Sequence, residues 1–197
     1  MGLPIAKLIV ATNVNDILHR ALSEGDYSVG SVTPTAAPSM DIQVSSNFER
    51  LLFDLHGRDG AALAASMKGF EANRTFSLTP AMRTQAAELL VSARIDPESM
   101  EMAMRRANEQ SAMTLDPHSA IGYAAALAAD LPADVPIVTL ATAHPAKFRD
   151  AVERATGSRP VLPLRVGDLF DRAERYEVLP NDLAAVQAYI AERATAA

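Results

Sequence analysis

Ile5-Ala6-Lys7-Leu8-Ile9-Val10-Ala11-Thr12 runs directly into Asn13-Val14-Asn15-Asp16 and then Ile17-Leu18. Leu8-Ile9-Val10 is a short apolar, partly β-branched run bounded by a polar cluster, and it reads as a buried strand. The asparagines and Asp16 are side chains that cap helices, and Ile17, Leu18, Ala21 and Leu22 recur at helical spacing before Gly25. A strand feeding a capped helix is one half of a βαβ unit, which sets the expectation of an α/β fold. Pro136-Ile137-Val138-Thr139-Leu140-Ala141 reads as a second buried strand. It turns through Thr142-Ala143-His144-Pro145 into a helix over 146–155 ended by Gly157.

Between these strands the chain reads as mostly helical. Residues 25–44, with Pro34 and Pro38, have loop chemistry. Ser46-Asn47-Phe48-Glu49 fits a capping box ahead of Leu51, Leu52 and Leu55. Helices are expected over 60–72 and 78–90, with a short extended piece at 91–95. Asp96-Pro97 and Asp116-Pro117 each place a capping carboxylate before a proline at the first helical position. Met100, Ala103, Met104 and Ala107 form a stripe at i, i+3, i+4, i+7 that reads as core. A last helix, 182–193, is expected to bury Leu183, Val186 and Ile190. The organisation expected is an α/β part made of 1–44 and 116–197 with a helical subdomain, 45–115, inserted. Two strands are too few for a free-standing sheet, so strands are either unrecognised or supplied by residues outside this sequence.

Composition narrows the function. The 197 residues carry 18 Lys+Arg against 24 Asp+Glu, a formal charge of −6, which gives no field for holding nucleic-acid phosphates. No apolar run is long enough to span a membrane, and no signal peptide is recognisable, so a cytoplasmic protein is expected. With no cysteine there is no thiolate chemistry. His56, His118, His144 and Asp116 match no compact metal-ligand spacing, and no metal is expected. No serine sits in a Gly-x-Ser-x-Gly elbow, and pairs such as Asp54/Asp59 and Asp168/Asp171 read as solvated surface. The nine glycines are dispersed, so there is no phosphate cradle. Lys7, Lys68 and Lys147 are the only lysines, and none stands out as a Schiff-base residue. The polar clusters that follow the two strands, 12–16 and 142–145, are the candidates for a ligand site, because open α/β sheets bind ligands beyond the carboxyl ends of their strands. Sequence alone favours reading both as plain helix caps.

Four blocks carry a more specific signal. Leu3-Pro4-Ile5 with Thr12-Asn13-Val14-Asn15-Asp16-Ile17-Leu18 is the first, and Pro38-Ser39-Met40-Asp41-Ile42-Gln43-Val44-Ser45-Ser46-Asn47-Phe48-Glu49-Arg50 the second. Asp116-Pro117-His118-Ser119-Ala120-Ile121-Gly122 and Leu140-Ala141-Thr142-Ala143-His144-Pro145-Ala146-Lys147-Phe148 follow in order. Together they resemble the C-terminal part of the threonine synthases. The resemblance implies a partial tryptophan-synthase-β-like sheet (PLP fold type II) and a pyridoxal-phosphate-dependent lyase. The reaction implied is conversion of O-phosphohomoserine and water to threonine and phosphate.

The resemblance also implies roles for residues. Thr142 takes the position whose hydroxyl meets the pyridine nitrogen of the cofactor. His144, Asn13, Asn15 and Asp16 would line the same edge, and Ser39, Asp41 and Asn47 would border the substrate. The family's Schiff-base lysine and phosphate-gripping loop belong to N-terminal blocks that this sequence does not contain. No catalytic residue is therefore assigned here, and the chain alone is expected to be inactive and not to bind the cofactor. The partner expected is the missing N-terminal part, or a second copy of the chain. The alternative is a non-catalytic α/β interaction module derived from the same fold.

Overall fold

The structure is a computed structural model that describes residues 4–132 and 134–194. Leu3 of the first block lies outside the described residues. The chain divides at Pro160 into a large unit and a small one, 161–197.

In the large unit, β1 (Leu8–Thr12) leads into α1 (Ile17–Ser23) as expected. Gly25 then adopts φ +86°, and its N–H closes the helix on the Arg20 and Ala21 carbonyls. The parallel partner of β1 is β4 (Leu90–Arg94), paired from Leu8↔Leu90 to Thr12↔Arg94. This strand overlaps the extended piece expected at 91–95, inside the 45–115 stretch. A second pair went unforeseen: β2 (Asp26–Ser28) lies antiparallel to β3 (Thr75–Ser77). Three-residue strands leave almost no periodic trace, and β2 falls in what reads as loop.

The strand expected at 136–141 does not form. No backbone neighbour pairs with that segment among the described residues, and it is open to solvent, with Val138 at 82% and Leu140 at 73% exposure. A strand needs a ladder as well as β-branched residues, and Pro136 also removes one donor. The segment stays close to α6 (Pro117–Ala128) through Thr139, whose Cγ2 would stand 3.4 Å from a Cβ placed on Gly122.

The helices between follow the sequence closely. They are α2 (Phe48–Leu55), α3 (Gly60–Asn73), α4 (Pro80–Ala87) and α5 (Pro97–Ser111). The capping box at Ser46 is not made. The N-cap of α2 is Asn47, which has helical φ/ψ and makes no side-chain cap bond. The Asp96 carboxylate does cap α5 through the Ser99 N–H at 2.8 Å. That bond, with the Ser99 hydroxyl, holds the Asp96 carboxyl below the usual carboxylate range.

Two apolar clusters cover the β1–β4 pair. One contains the Met100/Ala103/Met104/Ala107 stripe, Ile95, Ile121 and α7 (Arg149–Thr156) through Val152 and Ala155. Ile9, Ala11 and Ala93 of the strands pack on it. The other gathers Ile17, Leu52 and Leu78 around Tyr27, whose ring lies 4.9 Å from Phe48 and 5.1 Å from Phe70. Burial raises the Tyr27 phenol above its ordinary range, and the hydroxyl accepts from the Ser45 N–H at 2.8 Å. Cover on both faces is what a parallel pair requires.

The small unit holds α8 (Leu183–Ala194). Leu183 and Ile190 are exposed and Val186 is half-buried, so the expected buried stripe is not formed. The unit is instead laced by ion pairs, Arg172 with Asp168 at 2.7 Å and Arg193 with Glu177 at 3.1 Å, and the Arg193 guanidinium lies over the Tyr189 ring. Among the described residues no helix is long and apolar enough to cross a membrane.

Candidate functional site

The carboxyl ends of β1 and β4, Thr12 and Arg94, open onto a cavity of about 520 Å³. Asn13, Thr35, Arg94, Asp96, Glu101 and Arg154 are among its lining residues. Both arginines are braced: Arg94 pairs with Asp16 at 3.2 Å, and Arg154 with Glu101 at 3.2 Å. At the same strand end the Thr12 hydroxyl is buried with no hydrogen-bond partner among the described residues. Buried polar atoms are seldom left unpaired, so this edge has spare capacity for a polar ligand.

Asn13 and Asn15 are buried because β1 ends in a sharp Asx turn, the Asn15 N–H donating to Asn13 Oδ1 at 2.9 Å. The side-chain amide of Asn15 clamps the Thr33 peptide, donating to its carbonyl at 2.9 Å and accepting from its N–H at 2.8 Å. One carboxylate gathers the rest. Asp41 accepts from Asn13 Nδ2 at 2.7 Å, Asn15 Nδ2 at 2.9 Å, the Thr35 hydroxyl at 2.7 Å and the Thr35 N–H at 2.7 Å. The loop over residues 33–41 is thus tied to the end of β1 by side chains alone. Asp41→Ala is expected to leave these donors unpaired and to cost roughly 2–4 kcal/mol. Denaturant unfolding checks the cost, and limited proteolysis of the loop checks its location.

Of the eight residues expected from sequence, the structure joins Asn13, Asn15 and Asp41 directly. Asp16 sits beside them but serves Arg20 and Arg94. Ser39 lies on the same loop, its N–H donating to His118 Nε2 at 3.1 Å. The exposed Thr142 has its N–H donating to Ser119 Oγ at 2.9 Å. His144 is exposed and caps the following turn, Nδ1 accepting from the Ala146 N–H at 3.1 Å. Asn47 is exposed at the start of α2, which packs on the Tyr27 cluster, and no hydrogen bond ties it to the others. Sequence reasoning missed Thr35, which couples to Asp41. It placed Asp116 and His118 in a family block, as a helix cap and as unfit metal ligands, and gave neither a role at the site. The signal was the packing of three polar residues into Asp116-Pro117-His118-Ser119. Among the described residues no three His, Asp or Glu side chains group to hold a metal.

Comparison with known proteins shows what the chain is similar to. A family model described as threonine synthase, C-terminal, matches residues 119–190. Over 98% of its length the chain is 49% identical to a threonine synthase of Pseudomonas aeruginosa and 38% identical to one of Corynebacterium glutamicum. A crystal structure of PLP-bound threonine synthase from Brucella melitensis superposes with a TM-score of 0.88 at 43% identity, covering 98% of the chain. The chain belongs to the threonine synthase family. It spans 41% of the Pseudomonas protein and 41% of the Brucella chain. Threonine synthase from yeast superposes on the whole chain with a TM-score of 0.86 at 32% identity, covering 44% of that protein. The α/β fold of threonine synthases, PLP fold type II, therefore holds for this chain.

The residues present fit one end of such a cofactor and not the other. The orphaned Thr12 hydroxyl and the exposed Thr142 supply neutral polar groups suited to a ring and its substituents. The lysines do not converge on them. Lys7, at the opposite end of β1 from Thr12, donates to the Ala87 and Glu88 carbonyls at 2.7 and 2.8 Å. Lys147 lies over the Phe148 ring, and Lys68 is exposed on α3.

Proposed function

We propose that the chain works as the C-terminal part of a cytoplasmic threonine synthase that converts O-phosphohomoserine and water to threonine and phosphate with pyridoxal phosphate. The observation that carries the proposal is the network of buried Asn13 and Asn15 with half-buried Asp41, formed from two separate family blocks at the carboxyl end of β1. Residues 1–44 and 116–197 would belong to the cofactor-binding α/β part, and 45–115 to a mostly helical subdomain whose β4 joins β1. Bound there, the cofactor would supply the electron sink for elimination of phosphate and addition of water.

This chain's own residues would bind and orient. The Thr142 hydroxyl would donate to the pyridine nitrogen and leave that nitrogen without a formal charge, with His144 flanking the contact. Asn13 and Asn15, with Asp16 behind them, would hold the edge. Ser39 and Asp41 would border the phosphorylated amino acid, with Asn47 further out. The proton-moving amine would come from residues matching the N-terminal part of the relatives.

The stretch 136–141 supports a shared fold. Thr139 lies toward α6 while Ile137, Val138 and Leu140 are exposed, which leaves an apolar, β-branched surface without a neighbour among the described residues. The complementary part, or a second copy, would supply that neighbour.

The test is to mix the 197-residue chain with pyridoxal phosphate and treat it with borohydride, with and without an N-terminal part of a relative bearing the lysine. Alone, the chain should show no lysine adduct and no release of phosphate from O-phosphohomoserine. Together, both should appear, the adduct on the N-terminal part. An adduct on Lys7, Lys68 or Lys147 would overturn the proposal. A stable homo-oligomer that ignores the N-terminal part would favour the interaction module instead.

A further inference from the structure

Asp116, His118 and Ser119 are all buried, Asp116 completely. Their hydrogen bonds run in one consistent direction. The Ser39 N–H donates to His118 Nε2 at 3.1 Å, so that nitrogen bears the lone pair and Nδ1 bears the hydrogen. Nδ1–H then donates to Asp116 Oδ1 at 2.9 Å. The other carboxylate oxygen accepts from the Ser119 hydroxyl, which leaves Ser119 Oγ free to accept from the Thr142 N–H at 2.9 Å. The imidazole also packs on Phe148, ring centroids 4.7 Å apart, just past the His144 turn. A single carboxylate at the start of α6 thereby anchors two segments that are 79 residues from His118 on one side and 23 residues from Ser119 on the other.

Resting on the functional proposal above, we propose that Asp116, His118 and Ser119 are positioning residues that hold the substrate-side loop at Ser39 and the cofactor-side backbone at Thr142 in fixed register on α6. None of the three need touch either ligand. Their side chains are turned onto one another and onto two backbone N–H groups, so their contribution is geometry. Two independent arms leave the shared carboxylate. Ser119 serves Thr142, and His118 serves Ser39.

The arms make the inference testable without cofactor or activity. Amide hydrogen exchange is measured residue by residue on the 197-residue chain. Ser119→Ala is expected to speed exchange at the Thr142 amide about tenfold, the loss of one hydrogen bond, and to leave Ser39 unchanged. His118→Phe keeps a ring against Phe148 and is expected to do the reverse. Asp116→Asn should quicken both. The amides of Met104 and Ile121, in the core of α5 and α6, report the change in overall stability, and in each single-arm variant the amide of the uncut arm should stay within twofold whatever change they show. If Thr142 and Ser39 rise together with these core amides, the cluster is only part of the core and the inference fails. If neither amide responds, the arms do not hold the segments and it fails equally. Because no cofactor is present, failure here is separate from failure of the borohydride experiment.

Discussion

Asp116→Ala is expected to lower the unfolding free energy by roughly 3–5 kcal/mol, a large share of the stability of a domain of this size. Three effects add. The carboxylate caps α6, accepting from the His118 N–H at 2.9 Å and the Ser119 N–H at 3.4 Å, and losing a cap costs about 1 kcal/mol. Removing it also strands the His118 Nδ1–H and the Ser119 hydroxyl in a place water does not reach, and an unpaired buried donor costs about 1–3 kcal/mol. The missing carboxyl leaves a small void beside Leu115 and Ala120, which are buried in the same cluster. Asp96→Ala is the control, because Asp96 is the equivalent cap of α5 at the surface and should cost only about 1 kcal/mol. Denaturant unfolding of both variants decides the matter. If the two costs are equal, burial of the Asp116 network adds nothing beyond the cap.

The comparison of these two caps also shows what is legible in a sequence. Asp-Pro before an apolar helix announces a helix start in both places, and both helices begin where expected. Nothing local separates the exposed cap from the buried one: Asp116 bonds to His118 and Ser119 in its own turn, and it is their partners, Ser39 and Thr142, that are reached through tertiary contact. The same limit explains the strands. Leu8-Ile9-Val10 and Ile137-Val138-Thr139-Leu140 both look like strands in sequence, yet among the described residues only the first meets a neighbour, β4. Propensity belongs to the residue and a ladder to the pair.

The capping box at Ser46 fails because Asn47 takes the N-cap position of α2, one residue late for a Ser46–Glu49 pair. The Met stripe succeeds because a buried face at helical spacing is a property of one element. At the candidate site, Asn13 and Asn15 are marked by the polar cluster after the first strand, whereas Asp41 is accessible only through the family blocks. Their convergence depends on a turn at the end of β1 and a loop folded back over it, neither of which composition or periodicity encodes. Asn47 belongs to the same block as Asp41, but six residues further on the chain has reached the N-cap of α2. Adjacency within a block does not guarantee adjacency in space.

Gly25→Val is expected to be the other severe substitution, costing roughly 3–4 kcal/mol through two separable terms. The first is conformational. Gly25 sits at φ +86°, a region that L side chains reach only with strain, and a β-branched side chain is least suited to it. The second is steric. A Cβ at this position would stand 2.9 Å from the Leu78 carbonyl oxygen, which is backbone and cannot swing aside, and 3.2 Å from Arg83 Cδ. That close approach exists because Gly25 links two elements. Its carbonyl accepts from the Leu78 N–H at 2.9 Å while its N–H closes α1, so moving the chain apart would break the β2–β3 end of the Tyr27 cluster. Gly57 isolates the first term: it has φ +64° but nothing within 4 Å of an added Cβ. Gly57→Ala should therefore cost about 1 kcal/mol, and Gly25→Ala clearly more. Thermal and denaturant unfolding of these variants measures the difference. Equal costs for the two alanine variants would mean that the strand end yields, and that the contact with Leu78 contributes no rigidity to the turn between α1 and β2.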